Sequence, residues 1–138
     1  MAGYSGTPLP AKLGLKPGQR LAFADAPDGF VPSLGALPDG ARVGARGPFD
    51  LAVFFVRSAR ELGSALARAR ARLDPAGALW IGWPKKASGV PTDVTEDVVR
   101  RAALASGLVD VKVCAIDETW SGLKLVVRLK DRPRTPKR

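Results

Sequence analysis

The 138-residue sequence contains no histidine, and its single cysteine is Cys114. Without histidine, the chain lacks the commonest general base and the commonest metal ligand of proteins. Ser-His-Asp and Cys-His catalysis are therefore excluded. One cysteine permits neither an internal disulfide nor a cluster of thiolate metal ligands. We accordingly assign no catalytic residue and no metal ligand.

The sequence also lacks an apolar stretch of membrane-spanning length. It shows no charged segment followed by an apolar run, which is the pattern of a secretory signal peptide. We therefore expect a cytoplasmic protein with no membrane partner. The length suits one domain that buries about two-thirds of the unfolded chain's surface. We place this domain at residues 1–129, with an N-terminal arm and short helix at 1–18 and a basic tail at 130–138.

Positive charge, in contrast, is abundant and unevenly distributed. The net charge is +9, and the segment Arg128–Arg138 contributes +5 of it. Residues 132–138 combine four basic residues with two prolines and no apolar side chain, a composition typical of disorder. Two interpretations stay open for this tail: a solubilising terminus, or weak non-specific binding of nucleic acid.

Segments 50–56 and 78–83, in which every residue after Asp50 is apolar, predict strands that are covered on both faces and adjacent at the centre of a sheet. Capping boxes at Ser58–Glu61 and Asp93–Glu96 predict the helices that follow them. Weaker apolar segments predict four further strands, at 20–25, 41–45, 108–116 and 123–129. Because strands and helices alternate, we expect an α/β fold with a mostly parallel sheet, whose last strand is antiparallel after a tight link.

This order of elements resembles the class I S-adenosylmethionine-dependent methyltransferase fold over residues 20–129. The local likeness is carried by Phe49–Val56, similar to the central strand of that superfamily, and by Leu73–Trp80, similar to its L-x-P-G-G approach to the next strand. The resemblance implies a three-layer, Rossmann-like domain with a mostly parallel sheet of about six strands.

A closer resemblance is to a family of small bacterial proteins, domain-of-unknown-function family 3052. Five segments are similar to recurrent segments of that family: Gly3–Leu9, Ala11–Gly18, Leu79–Gly89, Thr92–Val98 and Lys112–Leu123. They span nearly the whole chain. The resemblance implies no particular chemistry, because the family has no assigned activity.

The sequence departs from the methyltransferase pattern where that superfamily holds its cofactor. The turn Ala24–Gly29 after the first strand has one glycine and an intruding Pro27, where the superfamily has a glycine-rich turn. The second strand, within Arg42–Arg46, ends without the acidic residue that holds the ribose hydroxyls. These departures disfavour S-adenosylmethionine, and we expect no cofactor.

Polar residues gather in two loops, 83–92 and 117–121, each of which follows a predicted parallel strand. Ligands of open α/β sheets bind outside the carboxyl ends of the strands, so we expect the two loops to form one surface. There Lys85 or Lys86 would lie near Asp117 or Glu118. The candidate ligand-binding residues are Asp25, Trp83, Lys85, Lys86, Asp117, Glu118 and Trp120.

Each group in these loops has two interpretations. Lys85 and Lys86, beside a capped helix, suit a phosphate or carboxylate, or they are simply solvated. Asp117 and Glu118 suit acid–base chemistry, or they stabilise a hairpin turn. The preferred hypothesis is a non-catalytic module that binds an anionic small molecule or a protein. The alternative is a divergent enzyme, either a methyltransferase or one that acts on a nucleotide-like anion.

The basic tail yields a first prediction. Truncation after Leu129 lowers the net charge by 4. Because non-specific nucleic-acid binding depends on neutralising phosphates and weakens steeply with salt, the truncated protein should bind duplex DNA more weakly and with a shallower salt dependence. Fluorescence anisotropy at several ionic strengths measures both quantities. Equal affinity of the two forms at equal salt would contradict the basic-tail interpretation.

Overall fold

The structure, a computed structural model, describes residues 7–44 and 48–131. Its strands are β1 (Arg20–Ala24), β2 (Arg42–Val43), β3 (Phe49–Phe55), β4 (Leu73–Pro84), β5 (Leu108–Ala115) and β6 (Trp120–Val127). Its helices are α1 (Leu9–Leu13), α2 (Phe30–Leu34), α3 (Ala59–Arg72) and α4 (Glu96–Ala105), with 3₁₀ turns at Lys86–Ser88 and Leu129–Asp131. The predicted tail from residue 132 onward lies outside the described residues, and the predicted domain bounds stay a prediction.

The strands form a six-stranded sheet in the order β2-β1-β3-β4-β6-β5. β1, β2, β3 and β4 run parallel, whereas β6 runs antiparallel to both of its neighbours, β4 and β5. β3 and β4 are adjacent at the centre, as their apolar runs predict. The mostly parallel α/β sheet with an antiparallel last strand is thereby confirmed.

Helices cover both faces of the sheet and give three layers. α3 and α4 pack on one face, where Phe54, Leu66 and Val99 belong to one buried cluster. α1 and α2 cover the other face, where the Trp80 indole N–H donates to the Leu13 carbonyl at 2.9 Å. Within the described ranges, no helix has the length and apolar character needed to cross a membrane.

The two predicted helix starts have different outcomes. Ser58 caps α3 by accepting a hydrogen bond from the Glu61 N–H at 3.1 Å, as its capping box predicts. The second box is wrong in register, because α4 is capped by Thr95, which accepts from the Val98 N–H. Asp93 instead accepts a hydrogen bond from the Ala59 N–H at 2.8 Å, and so joins the loop before α4 to the start of α3.

A pair of glycines shapes the α1–α2 face of the sheet. Gly82 of β4 lies directly opposite Gly122 of β6. A Cβ atom on Gly82 would stand 3.0 Å from the Phe55 ring, and one on Gly122 would stand 3.0 Å from Ile116 Cδ1 and 3.1 Å from the Trp80 ring. The two glycines therefore leave a bare strip on the sheet, and Phe55, Trp80 and Ile116 fill the space above it.

We predict that Gly122→Ala lowers the free energy of unfolding by about 1–3 kcal/mol, because the added methyl group overpacks this strip. Gly63→Ala is the matched control, since a Cβ at this exposed position of α3 meets no atom within 4 Å. It should raise the stability by up to about 1 kcal/mol through helix propensity. Urea unfolding of both variants measures the difference. Equal effects of the two substitutions would contradict the packing described here.

Candidate ligand-binding site

The loop that follows β4 is held in shape by its own hydrogen bonds. Ser88 Oγ donates to the Lys85 carbonyl at 2.6 Å and accepts from the Val90 N–H at 3.2 Å. Gly89 ends the 3₁₀ turn with φ at 80°, a conformation that L side chains rarely adopt. The loop therefore has a defined backbone conformation between Lys85 and Val90.

Contacts at both of its ends fix this loop to its neighbours. The Lys85 N–H donates to the Thr119 carbonyl at 2.7 Å. Thr92 Oγ1 donates to the Arg57 carbonyl at 2.6 Å and accepts from the Val94 N–H at 3.0 Å. Segments 83–92 and 117–121 thus meet at one edge of the sheet, beside the junction between β3 and α3.

A cleft of about 610 Å³ opens along the 83–92 loop. Trp83, Lys85 and Lys86 line it together with Ser121 of β6 and Thr95 at the start of α4. The side chain of Trp83 is buried, whereas Lys85 is half-buried and Lys86 is exposed. Three of the seven candidate residues are therefore brought together around one cavity.

Asp117 and Glu118 lie on the adjoining turn but do not line this cleft. Asp117 Oδ1 accepts hydrogen bonds from the backbone N–H groups of Thr119 and Trp120, both at 2.8 Å. Across the part of the chain that the structure describes, no carboxylate forms an ion pair within 4.0 Å with the lysines at 85 and 86. The expected lysine–acid pair is thus not formed, because Asp117 binds its own turn.

Trp120 is the first residue of β6 and does not lie in the preceding loop. Its side chain lies on the opposite face of the sheet from the side chain of Trp83. The indole packs edge-on against Phe55, with 5.2 Å between ring centroids. The Arg57 guanidinium lies 4.9 Å from the centre of the Trp120 ring, a cation–π contact. The two indoles therefore cannot form two walls of the same cleft.

Asp25 lines a different cleft, of about 360 Å³, at the carboxyl ends of β1 and β3. Its backbone has φ at 56°, and its carboxylate lies 3.9 Å from the Arg68 guanidinium. Arg57 and Arg60 line the same cleft. Our sequence interpretation missed this group of arginines, although two of them flank the Ser58 cap and so had to lie at a helix start.

A row of edge-to-face aromatic rings crosses the sheet near its carboxyl edge. Phe23 of β1 contacts Phe30 of α2, Phe30 contacts Phe55 of β3, and Phe55 contacts Trp120, with centroid separations of 5.2, 4.9 and 5.2 Å. Strand order reverses between β1 and β3, which is where doubly wound sheets open their ligand crevice. Phe30, only 2% exposed, packs between the rings of those two strands.

The residues at this position differ from the glycine-rich turn and the acidic strand end that the methyltransferase resemblance implies. The buried Phe30 ring packs beside the strand ends where the ligand crevice of such sheets opens. The turn Ala24–Gly29 that precedes α2 has one glycine, and Pro27 fixes the backbone angle φ within it. At the end of β2, Arg42 and Val43 are exposed and offer no carboxylate to a ribose.

Comparison with known proteins identifies a family and a fold but no activity. The family model described as "Protein of unknown function (DUF3052)" matches residues 44–129. No curated protein matches the chain by sequence.

Among solved structures, a putative methyltransferase from Thermoplasma acidophilum is 9% identical, with 89% of this chain and 75% of that chain covered and a TM-score of 0.57. Magnesium protoporphyrin IX methyltransferase from Synechocystis PCC 6803, with bound SAH, is 13% identical. The match covers 81% of this chain and 75% of that chain, with a TM-score of 0.59. Aeropyrum pernix fibrillarin, with natively bound S-adenosyl-L-methionine, is 15% identical. The match covers 90% of this chain and 70% of that chain, with a TM-score of 0.57. At these identities the likeness is one of fold.

The 117–121 turn provides a test of what its acids do. Asp117→Ala removes the acceptor of two backbone N–H groups and should lower the free energy of unfolding by about 1 kcal/mol. Glu118→Ala removes the same charge from the next residue, which is exposed, and should change the stability by less than about 0.5 kcal/mol. Denaturant melts of the two variants distinguish these values. If both variants are equally destabilised, or neither is, Asp117 does not act as the turn-forming residue.

Proposed function

The chain belongs to the family of proteins of unknown function DUF3052, and from this premise we propose that it is a non-catalytic binding module on a methyltransferase-like scaffold. The family match confirms the resemblance that the sequence segments indicate and assigns no activity. The fold of the solved methyltransferases does not supply one either, because function depends on the site rather than on the fold.

The observation that carries the proposal is the aromatic packing at the strand-order reversal. Phe30 packs edge-on against Phe55 at 4.9 Å, at the position where a cofactor would need open space. An edge-to-face pair is favourable beyond the apolar area that it buries, by about 0.5–1.5 kcal/mol. Opening the crevice would break two such pairs and expose the Phe30 ring. This cost argues that the α1–α2 side of the crevice stays filled, whereas the arginine-lined cleft beside α3 is open.

The chemistry of the remaining side chains also favours binding over catalysis. No polar or charged side chain among the described residues is buried, so none has the desolvated setting that tunes an acid or a base. Burial raises the pKa of the Cys114 thiol, which keeps it protonated and weakly nucleophilic near neutral pH. A lysine-lined cleft with a fixed loop backbone suits the recognition of an anion.

We place the ligand in the cleft along the 83–92 loop. Trp83 supplies an apolar wall there, and Lys85 and Lys86 supply positive charge. Adjacent ammonium groups act as point charges toward a phosphate or carboxylate. The hydrogen bonds of Ser88 and Thr92 hold the loop in place before a ligand arrives, which reduces the entropy lost on binding.

Calorimetry and thermal melts test this proposal with two probes, S-adenosylmethionine and AMP. S-adenosylmethionine should give no binding heat and no change in melting temperature. AMP should raise the melting temperature, as any ligand of the native state does. The variant Lys85→Gln/Lys86→Gln should lose that increase. The control Arg72→Gln/Arg101→Gln removes the same charge from exposed positions of α3 and α4 and should keep it.

Micromolar affinity for S-adenosylmethionine would overturn the proposal and favour the divergent methyltransferase instead. An AMP response that survives in Lys85→Gln/Lys86→Gln would show that the anion binds elsewhere and would exclude the 83–92 cleft. Loss of the response in the arginine control as well would show that only the overall charge matters.

A further inference from the structure

We propose that this protein has a second ligand site, a cleft that binds a compact polyanion bearing several phosphate groups. The cleft has a volume of about 400 Å³, and four lysines line it: Lys12, Lys16, Lys112 and Lys124. We call it the lysine cleft. It lies on the α1 side of the sheet toward the amino ends of β3 and β4, away from the 83–92 loop.

The fold brings these lysines together from segments that are far apart in the sequence. Lys12 and Lys16 lie in and just after α1, Lys112 in β5 and Lys124 in β6. The Lys112 ammonium donates to the Lys12 carbonyl at 3.2 Å, which ties β5 to the end of α1. The Lys124 ammonium lies 3.8 Å from the point where a Cβ atom of Gly14 would stand. The convergence therefore depends on the folded arrangement of α1 against the sheet.

The sheet itself places two of these positive charges side by side. Lys112 and Lys124 are directly opposite each other in the β5–β6 pair. Like charges at such positions destabilise a sheet, and nothing in the packing of β5 and β6 requires lysine at both. Violations of such local rules are expected at functional sites. An anion bound between the two ammonium groups would offset their repulsion.

Among the described residues that line the cleft, Asp50 alone carries a carboxylate, and this group is already paired with an arginine. Arg20 binds Asp50 through two guanidinium contacts, at 2.7 and 2.9 Å, and its backbone N–H donates at 2.8 Å. Those hydrogen bonds hold the pKa of Asp50 below its usual value. Lys16, Lys112 and Lys124 have no carboxylate within 4.0 Å among residues 7–44 and 48–131. Their charges are therefore available to an incoming anion.

Size and lining select the class of ligand. A volume near 400 Å³ is at the small end for ligand pockets and suits a small molecule. The lining comes from described residues and includes Leu51, Ala78 and Val126 but no aromatic ring on which a nucleic-acid base would stack. Lysines arranged around a short cavity match several phosphates in a compact group better than the extended backbone of a nucleic acid.

The test uses inorganic triphosphate as the probe and isothermal calorimetry as the measurement. The full-length protein should bind triphosphate, and Lys112→Gln/Lys124→Gln should weaken that binding at least about tenfold, because two charge-assisted contacts are lost. The same variant should melt, without ligand and at low salt, at the same or a higher temperature than the wild type. Relief of the cross-strand repulsion requires this result, and it separates a binding defect from a folding defect.

A charge-matched control completes the design. Arg72→Gln/Arg101→Gln removes two charges from the helices on the opposite face and should leave the triphosphate affinity unchanged. The site is separated from the 83–92 cleft by combining variants: adding Lys112→Gln/Lys124→Gln to Lys85→Gln/Lys86→Gln should still weaken triphosphate binding at least about tenfold. Failure of the lysine cleft is thereby distinguishable from failure of the 83–92 cleft.

Three results would overturn the proposal. The first is an absence of triphosphate binding by the wild-type protein. The second is an equal loss of affinity in Arg72→Gln/Arg101→Gln, which would indicate only a general dependence on net charge. The third is binding of single-stranded RNA that depends on Lys112 and Lys124 while triphosphate does not bind, which would assign the lysine cleft to nucleic acid.

Discussion

The bare strip that Gly82 and Gly122 leave on the sheet is the constraint on which the carboxyl edge of this protein depends. Because neither residue has a side chain, Phe55 and Ile116 can lie directly on the backbone of β4 and β6. Phe55 in turn contacts Phe30 on one side and Trp120 on the other. A side chain at Gly82 would press on Phe55, and one at Gly122 would press on Ile116 and Trp80. The aromatic packing at this edge is therefore a consequence of strand pairing as much as of the aromatic residues themselves.

This packing limits where the fold can bind a ligand. Aromatic rings occupy the α1–α2 side of the strand-order reversal, the cleft lined by Asp25 lies at the carboxyl ends of β1 and β3 beside α3, and further space lies at the margins of the sheet. One margin is the 83–92 loop, which the backbone contact between Lys85 and Thr119 ties to the next turn. The other is the lysine cleft, where α1 meets β5 and β6. Both margins are basic, which agrees with the net charge of +9.

The sequence alone was sufficient for features that depend on local patterns. The apolar runs placed β3 and β4 at the centre, and the tight link predicted at 117–122 made the last strand antiparallel. The Asp93 capping box failed because the Asp93 carboxylate is recruited by the Ala59 N–H, 34 residues away. Pattern alone did not separate Trp120 from the 117–121 loop, although it is the first residue of β6 and its side chain lies on the opposite face of the sheet from Trp83. The lysine cleft was not predictable, since its members come from α1, β5 and β6.

The two kinds of basic side chain have different roles in this protein. The guanidinium groups at the carboxyl edge contact protein groups: Arg57 lies over Trp120, and Arg68 lies 5.5 Å from the centre of the Phe54 ring. Arg20 binds Asp50 through a bidentate contact at the other edge. These planar groups suit stacking and forked hydrogen bonds, and they serve the structure. The ammonium groups at both margins are compact point charges, and Lys16, Lys124, Lys85 and Lys86 form no ion pair with a carboxylate among the residues that the structure describes. An anionic ligand that binds these lysines therefore need not break such a pair.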